Sequence, residues 1–130
     1  MYSSTTQNVT VFVEPTYLSG ESAPEQNVYV WAYKVRIENN SAETLQLKTR
    51  YWKITDSYGR VQEVHGPGVV GEQPVLKPGE SFEYTSGTPL STPNGIMMGS
   101  YAMQMTDGTL MDIAIPAFSL HTPDMAKRPN

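Results

Sequence analysis

Hydrophobic positions along this chain recur with a period of two. In VTVFV (residues 9–13) Val9, Val11 and Val13 alternate with Thr10 and Phe12, and Pro15 is read as the end of that run. The stretch VYVWAYKVRIEN (28–39) carries Trp31, Tyr33, Val35 and Ile37 on one face, with Lys34, Arg36 and Glu38 on the other, the pattern of a half-buried strand. NNSAET (39–44) has turn chemistry, because short Asn and Ser side chains bond their own backbone. A second long strand follows in TLQLKTRYWKITDS (44–57). There Leu45 and Leu47 are odd-numbered whereas Trp52 and Ile54 are even-numbered, so a bulge between Lys48 and Tyr51 must switch the buried face.

DSYG (56–59) closes a hairpin into RVQEVHG (60–66), and KPGE (77–80) turns into SFEYTS (81–86). GTPLSTPNG (87–95) reads as a Pro- and Gly-spaced connection to a strand over 99–107. Asp107-Gly108 is a tight-turn signal before TLMDIAIPAFSL (109–120), in which Pro116 calls for an edge or a bulge. No stretch keeps a 3.6-residue period over the length a helix needs. Seven or eight strands joined by turns predict an all-β antiparallel sandwich of immunoglobulin or fibronectin type III character. Tyr84, Met97, Tyr101, Met103 and Met105 fall at strand spacing and are read as core. Tyr29 and Tyr58 are candidates for an outer surface.

The 130 residues suit a single domain with an ordered core over about 8–120 and a frayed end at 121–130. The chain has no cysteine, which excludes disulfides, thiolate metal sites and a cysteine nucleophile, and fits a reducing cytoplasm. Without the disulfide of antibody domains, Trp31 or Trp52 must anchor the core. No leader peptide and no membrane-length apolar run is visible, so membrane insertion is not expected. The net charge of −4 argues against a nucleic-acid binder. Lys34, Arg36, Lys48, Arg50, Lys53 and Arg60 nevertheless gather in one quarter of the chain.

HGPGVVGEQP (65–74) places Gly66, Gly68 and Gly71 in the pattern G-x-G-x-x-G. In a dinucleotide-binding unit that pattern must open a helix, yet Pro74 and the turn after it leave no room for one. A weaker reading survives, in which the N–H groups of Gly68, Val69, Val70 and Gly71 form a concave anion nest. His65, Arg50 or Arg60 would supply positive charge for a phosphate or pyrophosphate ligand. The competing reading is a tight loop capping the sandwich. Candidate catalytic chemistry is thin: the two histidines, His65 and His121, stand in no metal-binding spacing, and no nucleophile elbow is present. No cofactor, metal or catalytic residue is assigned.

RYWKITDSYG (50–59), VHGPGVVGEQPVLKPGESFEYTS (64–86), LSTPNGIMMGSYAM (90–103) and IPAFSL (115–120) together resemble the ApaG family, over a span from about Val9 to Leu120. The resemblance implies a bacterial, cytoplasmic, fibronectin type III-like domain. It also implies a role in protein–protein contacts, as in the eukaryotic F-box and DNA-polymerase-interacting proteins that carry the domain. An association with cobalt resistance and magnesium efflux comes with it, necessarily indirect, as does a suggested pyrophosphate signature at the glycine motif. Two readings follow: a non-enzymatic interaction module with an unidentified protein partner, or a small-ligand module that binds pyrophosphate or a nucleotide through the Gly66–Gly71 loop and the basic residues near it. A monomer and a homodimer are both compatible with the sequence, and strand 9–13 is a candidate edge for pairing.

Overall fold

The computed structural model describes residues 1–123. Nine strands follow one another: β1 (Tyr2–Thr6), β2 (Val9–Tyr17), β3 (Tyr29–Asn39), β4 (Leu45–Asp56), β5 (Val61–Pro67), β6 (Val75–Leu76), β7 (Ser81–Leu90), β8 (Asn94–Met105) and β9 (Leu110–His121). Two short 3-10 turns, Ser19–Glu21 and Pro24–Gln26, link β2 to β3. One sheet has the order β1-β2-β3-β7 and the other β5-β4-β8-β9, with β6 also pairing β4. All pairings are antiparallel. This is the expected antiparallel sandwich, with nine strands in place of seven or eight.

The alternating positions behave as strand sterics require. Val9, Val11, Val13, Trp31, Tyr33, Val35 and Ile37 enter the core from the first sheet, and Leu45, Leu47, Trp52, Ile54, Tyr101, Met103, Ile113 and Ile115 from the second. The register of β4 on β8 shifts between Leu47 and Thr49, so Lys48 is the bulged residue that lets both Leu47 and Trp52 face inward. Both tryptophans anchor the core. Trp52 meets Tyr33 and Phe118 edge-on, and Trp31 Nε1 donates to the His121 carbonyl at 3.0 Å.

Five expectations need correction. Residues 2–6 form an edge strand, although YSSTT has no apolar alternation. Gln7 and Asn8 both have positive φ, and they turn β1 back on β2 in a two-residue hairpin. β2 does not stop at Pro15. Leu18 N–H donates to the Val30 carbonyl, so even-numbered positions of β2 face β3, and the missing N–H of Pro15 falls beyond the end of β1. This also makes β2 an interior strand, so it is no edge for pairing between chains. Residues 87–95 are mostly strand, and the loop between β7 and β8 is only 91–93, because Pro89 lies on the unpaired side of β7. His121 closes β9 and Thr122 is buried. Of the segment expected to fray, 124–130 lies outside the described residues.

The two sides of the sandwich are unlike. On one, β1 is stitched to β9: Ser4 Oγ donates to the Ala114 carbonyl at 3.0 Å, and Ala114 N–H donates to Thr6 Oγ1 at 3.3 Å. On the other, the outer edges of β5 and β7 pair with no further strand among the described residues.

Candidate functional site

The glycine loop joins β5 to β6, both of which lie on the same edge of β4. Gly68 N–H donates to the Lys48 carbonyl at 2.9 Å, which ties the loop to the β4 bulge. Val69 and Glu72 then exchange two backbone hydrogen bonds, at 2.8 and 2.9 Å. Between them Val70 (φ 42°) and Gly71 (φ 82°) form a hairpin turn with both central residues left-handed, and the Val69 side chain is buried in the core. Of the four N–H groups expected to form an anion nest, those of Gly68 and Val69 are therefore committed to carbonyls. Only Val70 and Gly71 at the tip are left.

The basic residues do not converge. Arg50 pairs with Gly66 on the inner face of the second sheet, where an added Cβ would lie 2.8 Å from the guanidinium. Arg50 Nη1 reaches across to donate to the Pro67 and Gly68 carbonyls at 3.0 and 2.9 Å. Gly66 is thus a glycine because an arginine crosses it. Arg60 sits at the other end of β5, roughly 20 Å away at a strand rise of about 3.3 Å per residue. There its Nε donates to Asp56 Oδ2 at 2.7 Å and its Nη2 to Ser91 Oγ at 3.0 Å. Burial pushes the Asp56 carboxyl upward, but the backbone and guanidinium donors of Arg60 and the Tyr58 N–H outweigh it and hold the group below its ordinary value. Lys34 and Arg36 are engaged with Glu83 and Glu38 on the outer face of the first sheet.

His65 points outward from β5 and packs against Tyr51 with the rings tilted by 41° and their centroids 4.8 Å apart. Together with Thr49, Pro67, Ser100 and Asp112 these two rings border a shallow depression of about 480 Å³ on the outer face of the second sheet. Strand register aligns His65, Tyr51, Ser100 and Ala114 in one row, and Pro67, Thr49, Ala102 and Asp112 in the next. His65 and Asp112 are therefore three strands apart, on the order of 14 Å, too far to act as an acid–base pair. Tyr51 Oη donates to Glu63 Oε2 at 2.7 Å, and that bond raises the Tyr51 pKa. Among the described residues no group of three or more His, Asp or Glu side chains is placed to hold a metal.

The same outer face carries Val61, Ile96 and Met98, which are 52%, 51% and 41% exposed. Val61 and Ile96 flank Thr55 in one row, and Met98 lies beside Lys53 in the next. Sequence reasoning passed over these three residues. The signal was their place on the outward parity of otherwise polar strands. Tyr84 and Tyr101, read correctly as core, also carry polar chemistry: their hydroxyls hydrogen-bond to each other between the two sheets. Burial raises the pKa of both well above the ordinary phenol value.

The ApaG domain matches residues 19–105 of the chain. Protein ApaG of Rhodospirillum centenum is 60% identical over 130 residues, covering 100% of both chains. Protein ApaG of Parvibaculum lavamentivorans is 59% identical over 128 residues, 98% of each. The crystal structure of the putative ApaA protein from Bordetella pertussis superposes with a TM-score of 0.86 at 50% identity, over 88% of this chain and 94% of that one. With a domain match over most of its length and relatives this similar from end to end, the chain belongs to the ApaG family.

Proposed function

We propose that this protein is a non-enzymatic, cytoplasmic interaction module that meets a protein partner on the outer face of its β5-β4-β8-β9 sheet. The observation that carries the reading is the exposed apolar group Val61, Ile96 and Met98, set beside the Tyr51–His65 ring pair. Exposed apolar clusters on a soluble fold mark contact surfaces, and Met and aromatic side chains are enriched in them. The wide separation of His65 from Asp112 favours binding over catalysis. The committed donors of the glycine loop favour a structural part for that loop over a pyrophosphate site. No helix among the described residues is long and apolar enough to cross a membrane. A part in cobalt or magnesium efflux then runs through the partner.

Two measurements test this. A photo-crosslinking residue placed at Met98 is expected to trap a discrete protein adduct in cells, and the same residue at Lys34, on the opposite sheet, is not. Pyrophosphate, ATP, Mg²⁺ and Co²⁺ are expected to leave the melting temperature unchanged at millimolar concentration. Saturable binding at a hundredfold excess over Kd would instead stabilise the fold by about 2.7 kcal/mol. Such a shift, together with no adduct from Met98, overturns the proposal in favour of a small-ligand module.

A further inference from the structure

The outer edge of β5 is unpaired among the described residues. Asp56 N–H donates to the Arg60 carbonyl and Gly68 N–H to the Lys48 carbonyl, so the even-numbered residues from 60 to 68 face β4. The N–H and C=O groups of Val61, Glu63 and His65 consequently point away from the sheet. Proteins usually blunt such an edge. The opposite side of this sandwich follows that rule, since Ser4, Thr6 and Tyr2 hydroxyls engage the outward groups of Ala114 and Ser119 on β9. Among the described residues nothing comparable covers Val61, Glu63 and His65.

The run ends at a charge. Pro67 has no N–H, and its carbonyl is taken by Arg50 Nη1, so the guanidinium stands where the open edge stops. Arg50 Nη1 is occupied by two carbonyls, and the ion pairs among the described residues involve Lys34, Arg36 and Arg60 but not Arg50. The neighbouring Val70 is an exposed β-branched residue at φ 42°, a conformation such residues avoid.

We infer that the β5 edge binds an extended segment of a partner protein by strand addition, with a carboxylate of that segment paired to Arg50. This deepens the interaction-module reading and rests on it. Backbone hydrogen bonds to Val61, Glu63 and His65 would hold the segment, and a charge-assisted contact to the guanidinium would set its register. A second copy of this chain is the poorer occupant. The antiparallel register that uses all three outward residues places Glu63 opposite Glu63 of the copy and turns Arg50 toward the copy's Arg60, and facing like charges destabilise a strand pair.

The test pans a display library of random octapeptides on the full chain, then titrates a selected peptide into the ¹⁵N-labelled protein. The expected peptide is acidic. It should shift the amides of Val61, Glu63 and His65 and slow their hydrogen exchange at least tenfold. Replacing its acidic side chain by the amide should weaken binding about tenfold, and amidating its C-terminus reports whether the carboxylate is terminal instead. Glu63→Pro removes one outward donor from an edge position that tolerates proline, and should abolish binding. Methylating alternate backbone nitrogens of the peptide tests the same hydrogen bonds without altering the protein. Failure to enrich peptides, binding indifferent to backbone methylation, or concentration-dependent shifts of these amides without peptide would each overturn the inference. An adduct from Met98 that persists in such a case leaves the interaction module standing and removes only the strand-addition site.

Discussion

The three glycines of the G-x-G-x-x-G stretch stand in three different environments, so replacing each by alanine separates a structural loop from a ligand-binding one. At Gly68 (φ 61°) an added Cβ would lie 2.2 Å from the Glu72 carbonyl oxygen, a backbone atom that cannot move alone. The left-handed conformation costs an alanine about 1–2 kcal/mol. Relieving the clash disturbs the Val69–Glu72 hydrogen bonds, worth about 1 kcal/mol each, and loosens buried Val69, whose full burial is worth about 1.5 kcal/mol or more. A loss of about 4 kcal/mol is expected for Gly68→Ala. At Gly71 (φ 82°) a Cβ meets nothing within 4 Å, so Gly71→Ala should lose only the conformational cost of about 1–2 kcal/mol. At Gly66 the intruding atoms belong to the flexible Arg50 guanidinium, which can swing aside at the expense of its two hydrogen bonds, for about 1–2 kcal/mol. Equilibrium urea unfolding followed by tryptophan fluorescence measures all three. With an m-value of about 2 kcal/mol/M, Gly68→Ala should lower the midpoint by about 2 M and the other two by less than about 1 M. Equal losses at Gly68 and Gly71 would refute the claim that the loop is held by its contact with Glu72.

Two further perturbations follow from the same geometry. Val70→Asn should stabilise the protein by about 1 kcal/mol, because Asn-Gly suits a turn with two left-handed residues and valine does not; a rise of about 4 °C in melting temperature checks it. The buried Tyr84 and Tyr101 hydroxyls have folded pKa values raised above those of the unfolded chain. Their contribution is therefore complete below about pH 10 and is lost as pH rises further, when the unfolded chain sheds protons that the folded one retains. Urea midpoints measured across that range should be flat and then fall, and Tyr84→Phe should reduce the slope of the fall.

Much of the fold was legible because burial on a strand is decided locally. The parity switch between Leu47 and Trp52 required a bulge, and Lys48 supplies it, since no flat strand could bury both residues. β1 escaped notice because two of its three inward side chains, Ser4 and Thr6, are hydroxyls that serve β9 instead of an apolar core. Pro15 and Pro89 misled for a related reason. A proline interrupts a strand only where its absent N–H was needed, and at both positions it faces away from a neighbouring strand.

The candidate site was less legible. Arg50, Arg60 and His65 are close in sequence, yet strand parity sends Arg50 inward and His65 outward, and the length of β5 carries Arg60 to the far end. The alternation of apolar and polar residues, the turn dipeptides and the glycine spacing were sufficient to predict a sandwich with a glycine-rich loop following the 60–64 strand. Among the described residues, which N–H groups that loop keeps, which arginine lacks an acidic partner and which edge stays open depended on strands from distant parts of the chain. A hydrogen bond is spent or free according to its neighbour across the sheet, and that neighbour is assigned only when the chain folds.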